Sequence, residues 1–198
     1  MGLEIEYIEG QTPLEEEEKE GLLIQTITTR NELDEFEQQN IEQAIQWTLS
    51  RKIKVDEIFT EDFVKELHRR MYKDVWSWAG KFRMTNKNLG VDRWQIAAAL
   101  KVTLEDTKYW IENKTYLPNE IAVRLKHRIV SVHCFANGNG RHSRLMADIV
   151  IEKIFKLPIF SWGALNLSKE SDVRVSYIKA VKAADRGNYN LLLKFARS

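Results

Sequence analysis

A histidine, a glycine-rich turn and two arginines fall within one short stretch, His133-Cys134-Phe135-Ala136-Asn137-Gly138-Asn139-Gly140-Arg141-His142-Ser143-Arg144. The Gly138-Asn139-Gly140 turn lets the backbone bend tightly and lets a ligand come close to the main chain. Successive N–H groups in such a turn form an anion nest. A helix starting there adds its unpaired N–H groups and the positive end of its dipole. Arg141 falls in the first turn of that helix and Arg144 three residues on, so both point toward similar faces. Guanidinium groups grip phosphate oxygens bidentately. His133, across the loop, is a natural general base for a hydroxyl near neutral pH. Asn137 lies between base and nest and can offer its amide oxygen to a phosphate-bound Mg²⁺, although a neutral oxygen is a poorer ligand than a carboxylate. Phe135 reads as the anchor that holds the loop to the core. Taken singly, each feature has a plainer explanation: a capping histidine, two solvated arginines, an ordinary turn. The stretch alone leaves several nucleotide chemistries open.

The elements that position it read as helices. Asn31 can cap a helix whose stripe is Ile41, Ala44, Ile45, Thr48 and Leu49. Thr60 can cap a second, with Phe63, Val64, Leu67 and Met71 buried. Residues 81–91 break the period. Phe82, Met84, Leu89 and Val91 flank a polar Asn86-Lys87-Asn88 tip, which predicts a short β-hairpin. Ile96, Leu100, Leu104, Thr107 and Ile111 restore a helical stripe. Pro118 suits the first turn of the next helix, whose stripe Ile121, Ala122, Leu125, Ile129 and Val132 stops at His133. Leu145, Met146, Ile149, Val150 and Ile154 follow the loop. A helix near 169–185 is expected to end at Gly187, with Asn188 capping a last helix that bears Leu191, Leu192 and Phe195. The fold class is all-α, a helical bundle with one small β-hairpin. Residues 1–30, centred on Glu15-Glu16-Glu17-Glu18, read as an N-terminal arm, and residues 31–198 as one domain.

Composition narrows the function. The 198 residues carry 30 basic and 29 acidic side chains, net +1, so no global field draws the chain to nucleic acid or anionic lipid. Cys134 is the only cysteine, which excludes an internal disulfide and a cysteine-rich zinc site. His127, His133 and His142 lack HExxH spacing, so a zinc hydrolase is a poor fit. No signal-peptide core or membrane-length apolar run is visible, and a cytoplasmic location is expected.

Taken together, residues 133–144 resemble the Fic (Fic/Doc) family signature His-x-Phe-x-(Asp/Glu/Asn)-Gly-Asn-Gly-Arg-x-x-Arg, agreeing at His133, Phe135, Gly138, Asn139, Gly140, Arg141 and Arg144. Leu67-His68-Arg69 through Trp76-Ser77-Trp78-Ala79-Gly80-Lys81-Phe82-Arg83 resembles the stretch before the Fic flap, and Asn88-Leu89-Gly90-Val91 the flap itself. Tyr177-Ile178-Lys179-Ala180 through Ala184-Asp185-Arg186-Gly187-Asn188 resembles the C-terminal helices. Within the family the chain is most similar to small bacterial proteins called mobile mystery protein B.

The resemblance implies a Fic-type fold and a protein adenylyltransferase (AMPylator) that moves AMP from ATP to a Ser, Thr or Tyr hydroxyl of a target protein. His133 would be the base. Gly138, Asn139 and Gly140 would cradle the phosphates with Arg141, and Arg144 would hold the γ-phosphate. Asn88, Leu89, Gly90 and Val91 would clamp the target by strand addition. Asn137 stands where the family usually places an acidic Mg²⁺ ligand, and Cys134 where proline is frequent. The arm can supply an inhibitory Glu9 or Glu20 against Arg144; a separate antitoxin is the competing regulator. Transfer of a phosphoryl group or UMP, or an inactive nucleotide-binding or toxin–antitoxin module, are the alternative functions.

Overall fold

The computed structural model describes residues 13–164 and 170–198. Its elements are helical, and α2 and α4 begin at threonine side-chain caps. After a short α1 (Glu16–Lys19), α2 (Arg30–Ser50) is closed by a reciprocal capping box. Thr29 Oγ1 accepts from the Glu32 N–H, and Glu32 accepts from the N–H groups of Thr28 and Thr29. That reciprocal pair satisfies more orphan donors than Asn31 could, so the helix starts earlier than expected. α3 (Val55–Ile58) leads to α4 (Glu61–Tyr72), where Thr60 Oγ1 accepts from the Phe63 N–H at 3.1 Å, as anticipated. A 3₁₀ turn (Arg93–Gln95) opens α5 (Ile96–Glu112). α6 (Pro118–Val132) opens on its proline. α7 (Asn139–Ile149) runs into a π-helical turn (Val150–Ile154), which the periodicity of residues 145–154 does not reveal. α8 (Glu170–Ala184) stops before Gly187, and α9 (Asn190–Ala196) begins after Tyr189, which supplies no side-chain cap, while Asn188 Oδ1 accepts the Asn190 N–H. The expected start of α8 near residue 169 lies outside the described residues. Among the described residues, no helix is long and apolar enough to cross a membrane.

α6 is the centre of the bundle. It packs against α5, α7 and α9, while α2 packs on α4 and α8 on α9. Ile121, Ala122, Val123, Leu125, Lys126, His127, Ile129 and Val132 are all buried, so the helix is enclosed on more than one face. Its C-terminal end therefore delivers His133 to a rigid place, and its middle carries a lysine into the core.

Residues 81–91 are not a β-hairpin. They form an irregular loop, and the reason is Arg83. This buried side chain donates to the carbonyls of His133 (2.6 Å), Thr85 (2.7 Å) and Val91, taking acceptors that a strand ladder would need. The main chain pairs outward instead, Arg83 N–H to Cys134 O and Val91 N–H to Val132 O. Asn86 closes the far side, donating to Asp92 and accepting from the Arg93 N–H.

The arm docks on this loop. Leu14, Leu22 and Ile27 join the core, and Leu22 forms an antiparallel bridge with Trp76. Lys87, its side chain 2% exposed, binds Glu18 at 2.5 Å, with Glu15 at 3.5 Å. Thr85 Oγ1 donates to the other Glu18 oxygen and Trp78 Nε1 to the Glu18 carbonyl. Removing one partner of so enclosed a pair leaves a buried charge. Lys87→Met is expected to destabilise the fold by about 2–3 kcal/mol, and adding Glu18→Gln to recover part of that loss in thermal unfolding. An additive double variant would show that the two side chains do not act as a pair.

Candidate active site

His133 ends α6 in a left-handed conformation, φ 56° and ψ 61°. That region costs a non-glycine residue about 1 kcal/mol or more. The surroundings hold it there: its N–H reaches the Ile129 carbonyl, its own carbonyl takes Arg83 Nε, and Gly90 lies so close that a Cβ built there would meet the His133 Cβ at 2.5 Å. Burial, and then the Arg83 guanidinium, push the imidazole pKa down to about 4. His133 is therefore neutral, and competent as a base, at neutral pH.

The loop beyond it is stapled from inside. Asn139, buried at the start of α7, accepts the Phe135 N–H at 2.9 Å and donates to the Phe135 carbonyl at 2.7 Å. Its side chain is thus spent on loop shape, and its contribution to a ligand is the backbone N–H. Phe135 is fully buried and stacks on His68 at 3.7 Å, confirming it as the anchor. Gly138 has φ 77°, and a Cβ there would fall 2.5 Å from the ring of Tyr72. Gly140 differs: a Cβ there would meet nothing within 4 Å. There is thus open space beside the first turn of α7, the end of a helix whose unpaired N–H groups favour an anion.

Arg141 is fixed from behind by Glu37 of α2, Nη2 to Oε2 2.6 Å, while 34% of its side chain remains exposed. The other Glu37 oxygen accepts from Trp76 Nε1 at 2.7 Å. Arg144 lies with its guanidinium carbon 4.6 Å from the Tyr177 ring centre. Glu20 caps the C-terminus of α1, is exposed, and makes no ion pair with Arg144; Glu9 lies outside the described residues.

The profile of the Fic/DOC family matches residues 58–151, a span that holds this loop, His133 and the residues around Arg83. Over that span the chain is similar to the Fic/DOC family. A Fido domain-containing protein of Dictyostelium discoideum is 36% identical over 72 residues, 35% of this chain and 43% of that protein. Among solved structures, Fic-1 of C. elegans superposes with a TM-score of 0.66 at 19% identity, over 90% of this chain and 51% of that one. BepC of Bartonella tribocorum, with bound AMPPNP, gives 0.66 at 16% identity over 92% and 97%. The chain thus spans about half the length, or less, of the first two relatives. The all-α Fic fold is shared; the expected hairpin is the part of it that this chain builds as a loop.

Within the span similar to the Fic/DOC family, Asn137 is poorly suited to a metal. Its Oδ1 accepts the N–H of Gly138 at 2.5 Å, and the loop contains no carboxylate. Among the described residues, no three His, Cys, Asp or Glu side chains gather to hold a cation. One neutral oxygen that already accepts a hydrogen bond is not a protein-held Mg²⁺ site. Cys134 is wholly buried, and burial pushes its thiol up to about 12, so it packs and does not react.

Three residues that shape this candidate site are missed by motif reading. Glu37 is buried in line with Leu33, Ile41, Ala44 and Thr48, and a carboxylate on an apolar stripe was the available signal. Arg83 sits in an unremarkable basic stretch. His68 is fully buried, accepts the Gly80 N–H at Nδ1 and so donates from Nε2 to the Asn137 carbonyl at 3.0 Å. Burial holds the pKa values of His68, His133 and His142 below their ordinary value, the last two at about 4. The unfolded chain then binds more protons than the native one as pH falls below about 6.5, so stability drops over the window from 6.5 to 4. Asp148, raised to about 6 by burial, opposes this only in part. Tm is expected to fall by roughly 10 °C from pH 7 to pH 4.5; a flat profile in scanning calorimetry would contradict the neutral histidines.

Proposed function

We propose that this Fic/DOC domain transfers AMP from ATP to a serine, threonine or tyrosine hydroxyl of a target protein, with residues 31–198 as the catalytic unit. The observation that carries the reading is a neutral, rigidly held His133 at one side of a loop whose Gly140 faces open space. The AMPPNP in the BepC structure, a triphosphate analogue, supports the same substrate class.

The backbone of Gly138, Asn139 and Gly140 and the exposed face of Arg141 receive the phosphates, and Arg144 takes the γ-phosphate. Exposed Asn88, Leu89 and Gly90 present main chain to the target segment, and Val91, whose N–H and carbonyl pair with Val132 and Arg83, anchors the end of that stretch. The target oxygen attacks the α-phosphorus while His133 accepts its proton. The new P–O bond forms as the bond from the α-phosphorus to its pyrophosphate oxygen breaks, and the electron pair leaves with pyrophosphate. Glu37 aims Arg141, and Arg83 holds His133 and the flap loop in one unit.

Incubation of a cell lysate with ATP labelled on the α-phosphate tests this. Label is expected on protein, with pyrophosphate released and no transfer from γ-labelled ATP. Transfer from the γ-position alone would make the protein a phosphotransferase. Binding without transfer would leave a nucleotide-binding module.

A further inference from the structure

Lys126 is fully buried, and its ammonium donates to the Tyr177 hydroxyl at 2.6 Å while lying 4.4 Å from the centre of the same ring. Arg144 packs on that ring too. Its Nε is buried and has no hydrogen-bond partner among the described residues. Two cations therefore converge on one phenol. The nearby carboxylates are committed elsewhere: Asp185 to His127 at 2.8 Å, and Asp148 to Trp162 and to the Phe160 N–H. Burying a cation without a counter-charge is costly, and a site that does so is short of an anion. The Tyr177 oxygen accepts from Lys126 and from the Arg144 side chain, and its own O–H can donate to a ligand oxygen.

We propose that Tyr177, backed by Lys126, is a positioning residue for Arg144, and that the three together make the domain select nucleotides carrying a third phosphate. The inference rests on the nucleotide reading above. Lys126 acts through Tyr177, holding the phenol oxygen and adding positive potential, while Tyr177 supplies the flat face that orients the guanidinium. A diphosphate would reach the glycine loop and Arg141 but not this cluster.

The test is equilibrium binding of ATP and of ADP to the intact chain, with Tyr177→Phe, Lys126→Met and Lys126→Gln beside wild type. Wild type is expected to prefer ATP. Lys126→Met and Tyr177→Phe are expected to reduce that preference about tenfold through weaker ATP binding, with ADP affinity kept. Lys126→Gln, which keeps a donor without the charge, should fall between. Exchange of a buried ammonium for an apolar side chain of similar volume is commonly tolerated by a fold, so Lys126→Met stands if Tyr177→Phe unfolds. An unchanged ATP/ADP ratio, or equal weakening of both nucleotides, overturns the proposal. If wild type transfers AMP while the ratio stays unchanged, this inference alone fails. If wild type binds neither nucleotide, the proposed function fails with it.

Discussion

His133→Ala is expected to lower AMP transfer by about 10²–10⁴-fold, the usual worth of a positioned general base, while ATP binding persists. The imidazole does not grip the phosphates in this geometry; it ends α6 on the other side of the loop from the nest. The wild-type pH profile carries the sharper signature. Burial and the Arg83 guanidinium lower the His133 pKa to about 4, so the base stays unprotonated from pH 7 down to about 5. The acid limb of kcat/KM, which reports the free enzyme's base, is expected near pH 4 to 5 and not near 6.5. A limb at 6.5 would mean that another group, or a solvated His133, takes the proton. The low pKa also limits driving force: a weaker base accepts the proton less readily, so the hydroxyl must be well placed for the transfer to be fast.

The second large effect separates two neighbouring glycines. Gly138→Ala must place a Cβ 2.5 Å from the buried Tyr72 ring at a φ of 77°, where side chains are already strained. The left-handed backbone and the overpacking together cost about 3 kcal/mol, a fall in Tm of roughly 6–12 °C. Gly140→Ala meets no atom within 4 Å and sits inside α7, where alanine is the better helix former. Its Tm should hold or rise slightly. Yet its methyl group would stand where the proposed nest would receive phosphate, and ATP affinity is expected to drop at least about tenfold. Calorimetry and nucleotide titration on the two variants read these outcomes directly. If Gly140→Ala binds ATP as wild type does, the phosphates do not lie against this turn.

Much of this architecture is legible in the chain because it is local. The Thr60 cap, Pro118 and the stripe from Ile121 to Val132 each report a helix through spacing alone, and the structure agrees. The residues that organise the site are less visible because their partners are far away in sequence. Arg83 turns an expected hairpin into a loop by reaching the carbonyl of His133. Glu37 stands out only as a carboxylate on an apolar stripe, and its role becomes visible when Arg141 and Trp76 close on it. Asn139 matches the motif as a loop residue, but its side chain builds the loop from within. No pattern in residues 145–154 marks the π-helical turn, because the same apolar positions serve an α-helix.

The bridge between Leu22 and Trp76 has a consequence for the order of folding. Its two sides are far apart in the chain, and such a contact must first offset the entropy of closing the intervening loop. Helices α2 to α4 can pair before the arm finds residues 75–77, so the arm docks late. By the same reasoning it is among the first parts to detach in native-state fluctuations. The amides of Leu23 and Ser77, which hydrogen-bond across this seam, are then expected to exchange with solvent together, and sooner than those of α6. Each such excursion would also expose Lys87, joining the lifetime of the docked arm to the mobility of the loop that covers His133.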